Sequence, residues 1–325
     1  MRIGYFLSCE EYTPAQLLDQ ARMAEQAGFE SLWISDHYHP WNDEQGQSPF
    51  VWSMIGALSQ VCSLPVTTAV TCPSFRIHPA VVAQAAATSS VLHGGRFILG
   101  VGSGEALNEH ITGERWPSAD ERLAMLEESI EVMRELWRGE FVTRTGPYYT
   151  VENARLYTLP DEPVPVYMSG FGPKAAALAG RIGDGFVTTG PEAELIQAFR
   201  DNGGEGKPMQ AGYKVCWSPD KSTAVETAHR IWANEQLPGE LAQLLPSPRH
   251  FEQASQLVTP DMIAESMPCG DDLSAHVEAF RPYAEAGFDD IHISQIGGSQ
   301  PGTEAEGFFE FYARKVLPEL RALAT

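Results

Sequence analysis

The residues of this chain best able to move a proton are His37 and Glu105. An imidazole titrates near neutral pH, and a carboxyl raised by burial meets it there, so the two form an acid/base pair if the fold joins them. His37 lies in Asp36-His37-Tyr38-His39, directly after the apolar run SLWIS, with Trp41 close behind. Glu105 lies in GSGEALNE, directly after RFILGV, beside Ser103, Gly104, Asn108 and Glu109. Taken singly, each reads as well as a satisfied buried His or a helix N-terminal Glu. Two polar clusters at the ends of two independent strands favour the chemical reading. Trp41 suits either a core or the wall of a ligand site.

A third cluster suits an anion. SGFGPK (169–174) sets Gly170 and Gly172 ahead of Pro173, which opens a helix, and Lys174 stands in its first turn. Glycine N–H groups at a helix N-terminus can cradle a phosphate; the same residues also make a plain strand-to-helix turn. GVGSGEA matches a dinucleotide fingerprint only in composition, because no acidic residue follows about 20 positions on at a strand end. His37 and His39 are two apart on a loop and no HExxH occurs, so no metal site is expected. No GxSxG elbow is present.

The elements that must position these residues alternate. Apolar runs at 2–7, 31–35, 65–70, 96–101, 164–168, 185–188, 210–216 and 289–294 read as strands. Helical spacing occupies 14–27, 79–92, 118–137, 173–182, 192–201, 221–234, 272–286 and 303–319. About eight strands joined by helices predict an α/β fold, a closed (β/α)8 TIM barrel with mouth insertions at about 36–52, 102–118 and 236–270, read as one domain over 1–325. Residues 138–158 read as a hairpin around Thr145-Gly146-Pro147, and a helix is expected near 248–257. Chemistry in such a barrel sits where strands end at their C-termini, which is where all three clusters fall.

Composition narrows the function classes. The net charge of −21 opposes nonspecific binding to nucleic acid or an anionic membrane. No apolar stretch approaches the ~20 residues of a membrane span. Five cysteines, odd in number and without a CxxC pair, point to a reducing cytoplasm rather than a disulfide framework.

Longer segments carry a resemblance. SDHYHPW, ILGVGSGEALNE and PVYMSGFGPKAAALAGRIGDGF, with IGYFLSCEEYTP and AGFDDIHI, make the chain similar to the luciferase-like superfamily of barrel oxidoreductases. Within that superfamily it resembles the glucose-6-phosphate dehydrogenases that use the deazaflavin coenzyme F420. The resemblance implies hydride transfer from a sugar, sugar phosphate or related alcohol to coenzyme F420. An FMN-dependent monooxygenase of the same superfamily is the alternative, and a non-catalytic binder a further one. His37, Glu105 and Trp41 would be catalytic, with the choice of base between His37 and Glu105 open. Asp36, Ser103, Gly104, Asn108, Ser169, Gly170, Phe171 and Gly172 would line the cofactor. Ala69 and Val70 would form a non-proline cis peptide behind its ring. Glu10, Thr189 and Gln253 would reach the substrate.

One departure stands out. The family holds its substrate phosphate with two lysines and an arginine, and the corresponding positions here fall near Pro191, Gln253 and Ser266. Arg249, His250 or Lys207 could substitute, so a neutral and a phosphorylated substrate both stay open. The resemblance also implies a homodimer, for which the stripe Leu123, Met125, Leu126, Ile130, Met133 and Leu136 offers an apolar face.

Overall fold

Local punctuation sets the alternation. Thr13 caps the first helix and exchanges hydrogen bonds with Gln16, Pro14 opens it, and Gly28 ends it at φ 95°. Pro79 and Pro173 open two further helices, the first capped by the His78 side chain and the second without a side-chain cap. The computed structural model describes residues 1–300 and 302–323.

In chain order, β1 (Arg2–Leu7), α1 (Pro14–Ala27), β2 (Leu32–Ile34), α2 (Val51–Leu58), β3 (Val66–Thr68), α3 (Pro79–Leu92) and β4 (Phe97–Val101) come first. After α4 (Ala106–Glu109) and α5 (Ala119–Leu136), an antiparallel hairpin pairs β5 (Val142–Thr145) with β6 (Thr150–Ala154). Then follow β7 (Val166–Ser169), α6 (Pro173–Ile182), β8 (Gly185–Thr188), α7 (Ala193–Phe199), β9 (Met209–Val215) and α8 (Lys221–Trp232). The segment 236–270 carries α9 (Leu241–Leu244), α10 (Pro248–Ser255) and α11 (Pro260–Ser266). The chain continues through α12 (Leu273–Ala286), β10 (Asp290–Gln295), the short hairpin β11 (Ser299–Gln300) and β12 (Thr303–Glu304), then α13 (Ala305–Phe311) and α14 (Leu317–Leu323).

Eight of these strands close a barrel in the order β1-β2-β3-β4-β7-β8-β9-β10, every pair parallel. The inward rows are packed with side chains. Trp33 stacks on His292 at 4.5 Å and donates from Nε1 to Gln210 (2.8 Å). A Cβ on Gly212 would lie 2.6 Å from the Trp33 ring, so glycine is what lets the indole cross the barrel. At the far end Asp290 takes Arg2 (2.6 and 2.7 Å) and Gln210.

Four expectations need correction. Val51–Leu58 is a helix that sequence reading did not assign, its first two residues falling in the insertion at about 36–52. The helix expected over 192–201 keeps α-geometry only through Phe199, then widens into a π turn that breaks at Asn202 and Gly203. The helix expected over 303–319 begins at Ala305, because Thr303 and Glu304 pair in a hairpin, and it contains a π turn over Tyr312–Val316. The apolar stripe of α5 packs inward: Met125, Leu126, Ile130, Met133 and Leu136 are buried in the core and Leu123 leans on it. That stripe is consumed by the barrel and offers no face to a second copy.

Candidate active site

The loop after β2 and the turn into α4 meet over the barrel mouth. His37 stands between two carboxylates, its Nε2 3.2 Å from Glu10 Oε1 and 3.6 Å from Glu105 Oε2. Glu10, from the loop after β1, is otherwise held by the hydroxyls of Ser8 (2.8 Å) and Ser35 (2.7 Å). Asn108 fixes the other side. Its Oδ1 accepts from the backbone N–H of Tyr38 and His39, so its Nδ2 must face Glu105 Oε2 (3.0 Å) and His37 Nδ1 (3.1 Å). The His39 carbonyl also lies 3.2 Å from His37 Nδ1. A neutral ring can therefore accept from Asn108 while donating from Nε2 to Glu10, and a protonated ring can donate to the His39 carbonyl. Either state has a partner, as a proton carrier requires.

The two carboxylates are driven apart. Burial works to raise Glu10, but His37, the Ser35 hydroxyl and Lys214 outweigh it and hold Glu10 below its ordinary value. Burial raises Glu105, with His37 opposing and Glu10 adding to the rise. Side-chain exposure follows the same division, 4% for Glu10, 10% for His37 and 28% for Glu105. Glu105 is thus the protonatable carboxylate that fronts the mouth, and Glu10 the charged one behind it.

A second cluster sits beside the first. Arg76 Nη2 donates to Asp36 Oδ1 (2.8 Å), and its Nε lies 3.4 Å from Glu109 Oε1. Thr71 donates to the other Asp36 oxygen (2.8 Å). The Asp36 side chain is fully covered, engaged by Arg76 and Thr71.

The peptide Ala69–Val70, at the end of β3, is cis, as the resemblance implied. A Cβ on Gly102 would come within 2.7 Å of Val70 Cγ2 and 3.0 Å of Ser169 Oγ, so glycine lets Val70 and Ser169 close on one another there. Ser103 and Gly104 continue this edge, Gly104 at φ 81° against Cys72 and Glu109. Next to this edge, just past the end of β7, Gly170 packs on the backbone of α6. Gly172 begins α6 with no side-chain cap and open space where its Cβ would be, and Phe171 is exposed beside it. Lys174 turns outward to Asp120 (2.7 Å).

Trp41 lies 5.0 Å from the His37 ring and meets Phe251 of α10 edge-on. Its loop is pinned where Asn42 and Gln45 both donate to the Ile231 carbonyl. Thr189 is exposed at the end of β8, its carbonyl accepting from Tyr283. Gln253 is not brought to this group. It is exposed and lies two residues past Phe251, about 200° round α10 from the face that packs on Trp41. Arg249 and His250 are exposed on the same helix. Lys207 lies at the opposite end of the barrel, capping carbonyls of Gly180 and Gly183, and cannot serve the mouth. Among the described residues no cluster of three or more His, Cys, Asp or Glu side chains is placed to hold a metal ion.

Sequence reading passed over Lys214. It shares the inward row of β9 with Gln210 and Gly212, and its ammonium lies 4.0 Å from the Trp232 ring and 5.6 Å from the Phe6 ring. A lysine near the C-terminal end of an inward strand row was the signal available.

A parallel barrel whose mouth joins an imidazole between two carboxylates, with their values moved apart, and a glycine-rich edge has the layout of a barrel enzyme's active site. Residues 1–290 match the family model described as luciferase-like monooxygenase. The chain is 36% identical, over 99% of both chains, to the F420-dependent glucose-6-phosphate dehydrogenase of Amycolatopsis mediterranei (strain U-32). It is 35% identical to that of Mycolicibacterium smegmatis, over 100% of this chain and 99% of the relative. Among solved structures, an F420-dependent secondary alcohol dehydrogenase in complex with an F420-acetone adduct superposes with a TM-score of 0.88 at 34% identity, over 98% of this chain and 99% of the other. The chain belongs to the luciferase-like family and, within it, to the F420-dependent glucose-6-phosphate dehydrogenases.

Proposed function

We propose that this protein oxidises an alcohol, sugar or sugar phosphate by hydride transfer to coenzyme F420. The observation that carries the reading is His37 held between a charged Glu10 and a raised Glu105 at the mouth. The cleft fits the coenzyme: a wall at the cis Ala69–Val70 peptide, and an uncapped helix N-terminus at Gly172 with open space for a phosphate. Ser103, Gly104, Asn108 and Ser169 through Gly172 would hold it, with Asp36 acting from behind through Arg76 and Thr71. When bound, the coenzyme supplies a two-electron acceptor for the carbinol hydrogen.

The protein's own residues handle the proton. The Glu105 carboxylate, open to the mouth, accepts the hydroxyl proton as the carbon loses hydride. His37, its Nε2 3.6 Å from Glu105 Oε2, stabilises the transfer. Glu10 stays ionised and holds the ring in place. Trp41 and Phe251 form an apolar wall that keeps water from the reacting carbon. The five cysteines are buried and unpaired, which suits a reducing cytoplasm. Among the described residues no helix is long and apolar enough to cross a membrane. A homodimer would use a face other than α5; the outer side of α3 exposes Val81, Val91 and Leu92.

Titrating the purified protein separately with F420 and with FMN, and following cofactor fluorescence, tests the assignment. F420 should be bound in preference to FMN, and its oxidised absorption should bleach when an alcohol or sugar panel is added. Tight FMN binding without F420 binding would replace this reading with the monooxygenase one.

A further inference from the structure

We infer that Glu235 selects against anionic substrates by neutralising Lys214, the cation on the floor of the barrel mouth, so that this site takes an uncharged alcohol. The inference rests on the alcohol-oxidising reading above and narrows its substrate class.

Lys214 is well placed to meet a substrate's anionic group. It projects into the barrel on the row of Gln210 and Gly212, above Phe6, which packs edge-on against Trp33 inside the barrel. Its side chain is only 11% exposed, and its charge reaches both Glu10 and Glu11. The chain end of α8 covers it. Trp232 lies under the ammonium, anchored by its Nε1 donating to Glu11 (2.8 Å), and the turn that follows brings Glu235 into an ion pair with Lys214. The pair and the indole together satisfy the ammonium.

Few other charges could replace it. Arg76, which acts on Glu105, is shared by Asp36 and Glu109. Arg122 is buried under Trp116 and donates to the Pro117 carbonyl. Lys174 and Arg230 pair with Asp120 and Glu44. A phosphate dianion on the floor of the mouth would therefore meet Glu10 and Glu105 with Lys214 already paired, inside a chain of net charge −21; among the described residues Arg249, exposed on α10, has no ion pair but lies outside this group. An uncharged alcohol meets no such opposition. Glu235 is thus a specificity-determining residue that acts through Lys214.

The test compares kcat/KM for glucose 6-phosphate with that for glucose, which share the reacting carbon, and adds 2-propanol as a small neutral alcohol. The wild type should favour the neutral compounds. Glu235→Gln should raise the ratio of glucose 6-phosphate to glucose at least tenfold, Glu235→Asp should leave that ratio as in the wild type, and Lys214→Met added to Glu235→Gln should abolish the gain. A tenfold wild-type preference for glucose 6-phosphate, or a ratio unmoved by Glu235→Gln, overturns the inference. If F420 is neither bound nor reduced, the functional reading has failed by itself. Calorimetry of inorganic phosphate with cofactor-free protein then decides the charge argument: binding gained in Glu235→Gln and lost in the double variant supports it, and equal binding in all three forms overturns it.

Discussion

Two carboxylate–cation–carboxylate groups lie side by side in this mouth, built from neighbouring residues. Asp36 and His37 are adjacent in the loop after β2, and Glu105 and Glu109 stand one helical turn apart across α4. One group is Asp36–Arg76–Glu109, the other Glu10–His37–Glu105. Arginine does not give up its proton in a protein, whereas histidine does so near neutrality. The first group is therefore a fixed clamp between the loop after β3 and α4, with the side chains of Asp36, Arg76 and Glu109 almost wholly covered. The second leaves Glu105 partly open and its imidazole satisfied in both charge states. On the proposed function, the identity of the middle residue decides whether two buried carboxylates hold a structure or move a proton.

Exchanging the demands on the two groups should separate them. His37→Ala should leave the fold intact and cut turnover by ~10²–10⁴, the usual worth of a positioned acid/base. Arg76→Met should act on the fold, lowering stability by ~3–5 kcal/mol because two buried carboxylates lose their cation. Denaturant midpoints beside kcat for the two variants check this; equal stability losses would mean that both groups are structural.

A smaller effect sharpens the contrast. Burial raises Glu109 to about 7 even though Arg76 and the Arg76 backbone N–H pull it down. A carboxyl raised on folding favours the protonated native state, so its stabilising contribution is full below the unfolded value and is lost as pH rises through about 7. Glu11, also raised to about 7 by burial, titrates in the same window. Both should pull unfolding free energy down as pH rises from about 4.5 through 7, against His78, His93, His276 and His292, which burial lowers and which act the other way. Glu109→Gln should remove its share and shift the slope of unfolding free energy against pH in the positive direction over that range. A slope unchanged by Glu109→Gln would show that Arg76 holds Glu109 ionised throughout.

Much of this was legible before the structure. Helices opened by a proline, such as α1, α3 and α6, have the bounds the sequence suggests, because local chemistry marks their ends: a proline start in each, and a glycine stop at Gly28 and Gly183. The strand ends told where chemistry would gather, and His37, Glu105 and Asn108 do meet. The rest was set by long-range packing. VWSMIGAL in α2 has no side-chain cap, and α9 is a single turn. Arg76 and Lys214 received no role from sequence, because only barrel closure turns them onto carboxylates. Gln253 was placed through a register that the helix rotates outward by two residues from Phe251.

The central claim is that Glu105 takes the alcohol proton while hydride leaves for the deazaflavin. It is tested most directly by the pH dependence of F420 reduction in the wild type and in Glu105→Gln, with F420 affinity measured alongside. In the wild type kcat/KM should rise with pH through a group above the ordinary glutamate range, the direction in which burial moves Glu105. Glu105→Gln should bind F420 within a few-fold of the wild type, lose ~10²–10⁴ in turnover and lose that ionisation from its profile. A Glu105→Gln enzyme that turns over near the wild-type rate with the same pH profile would contradict the account.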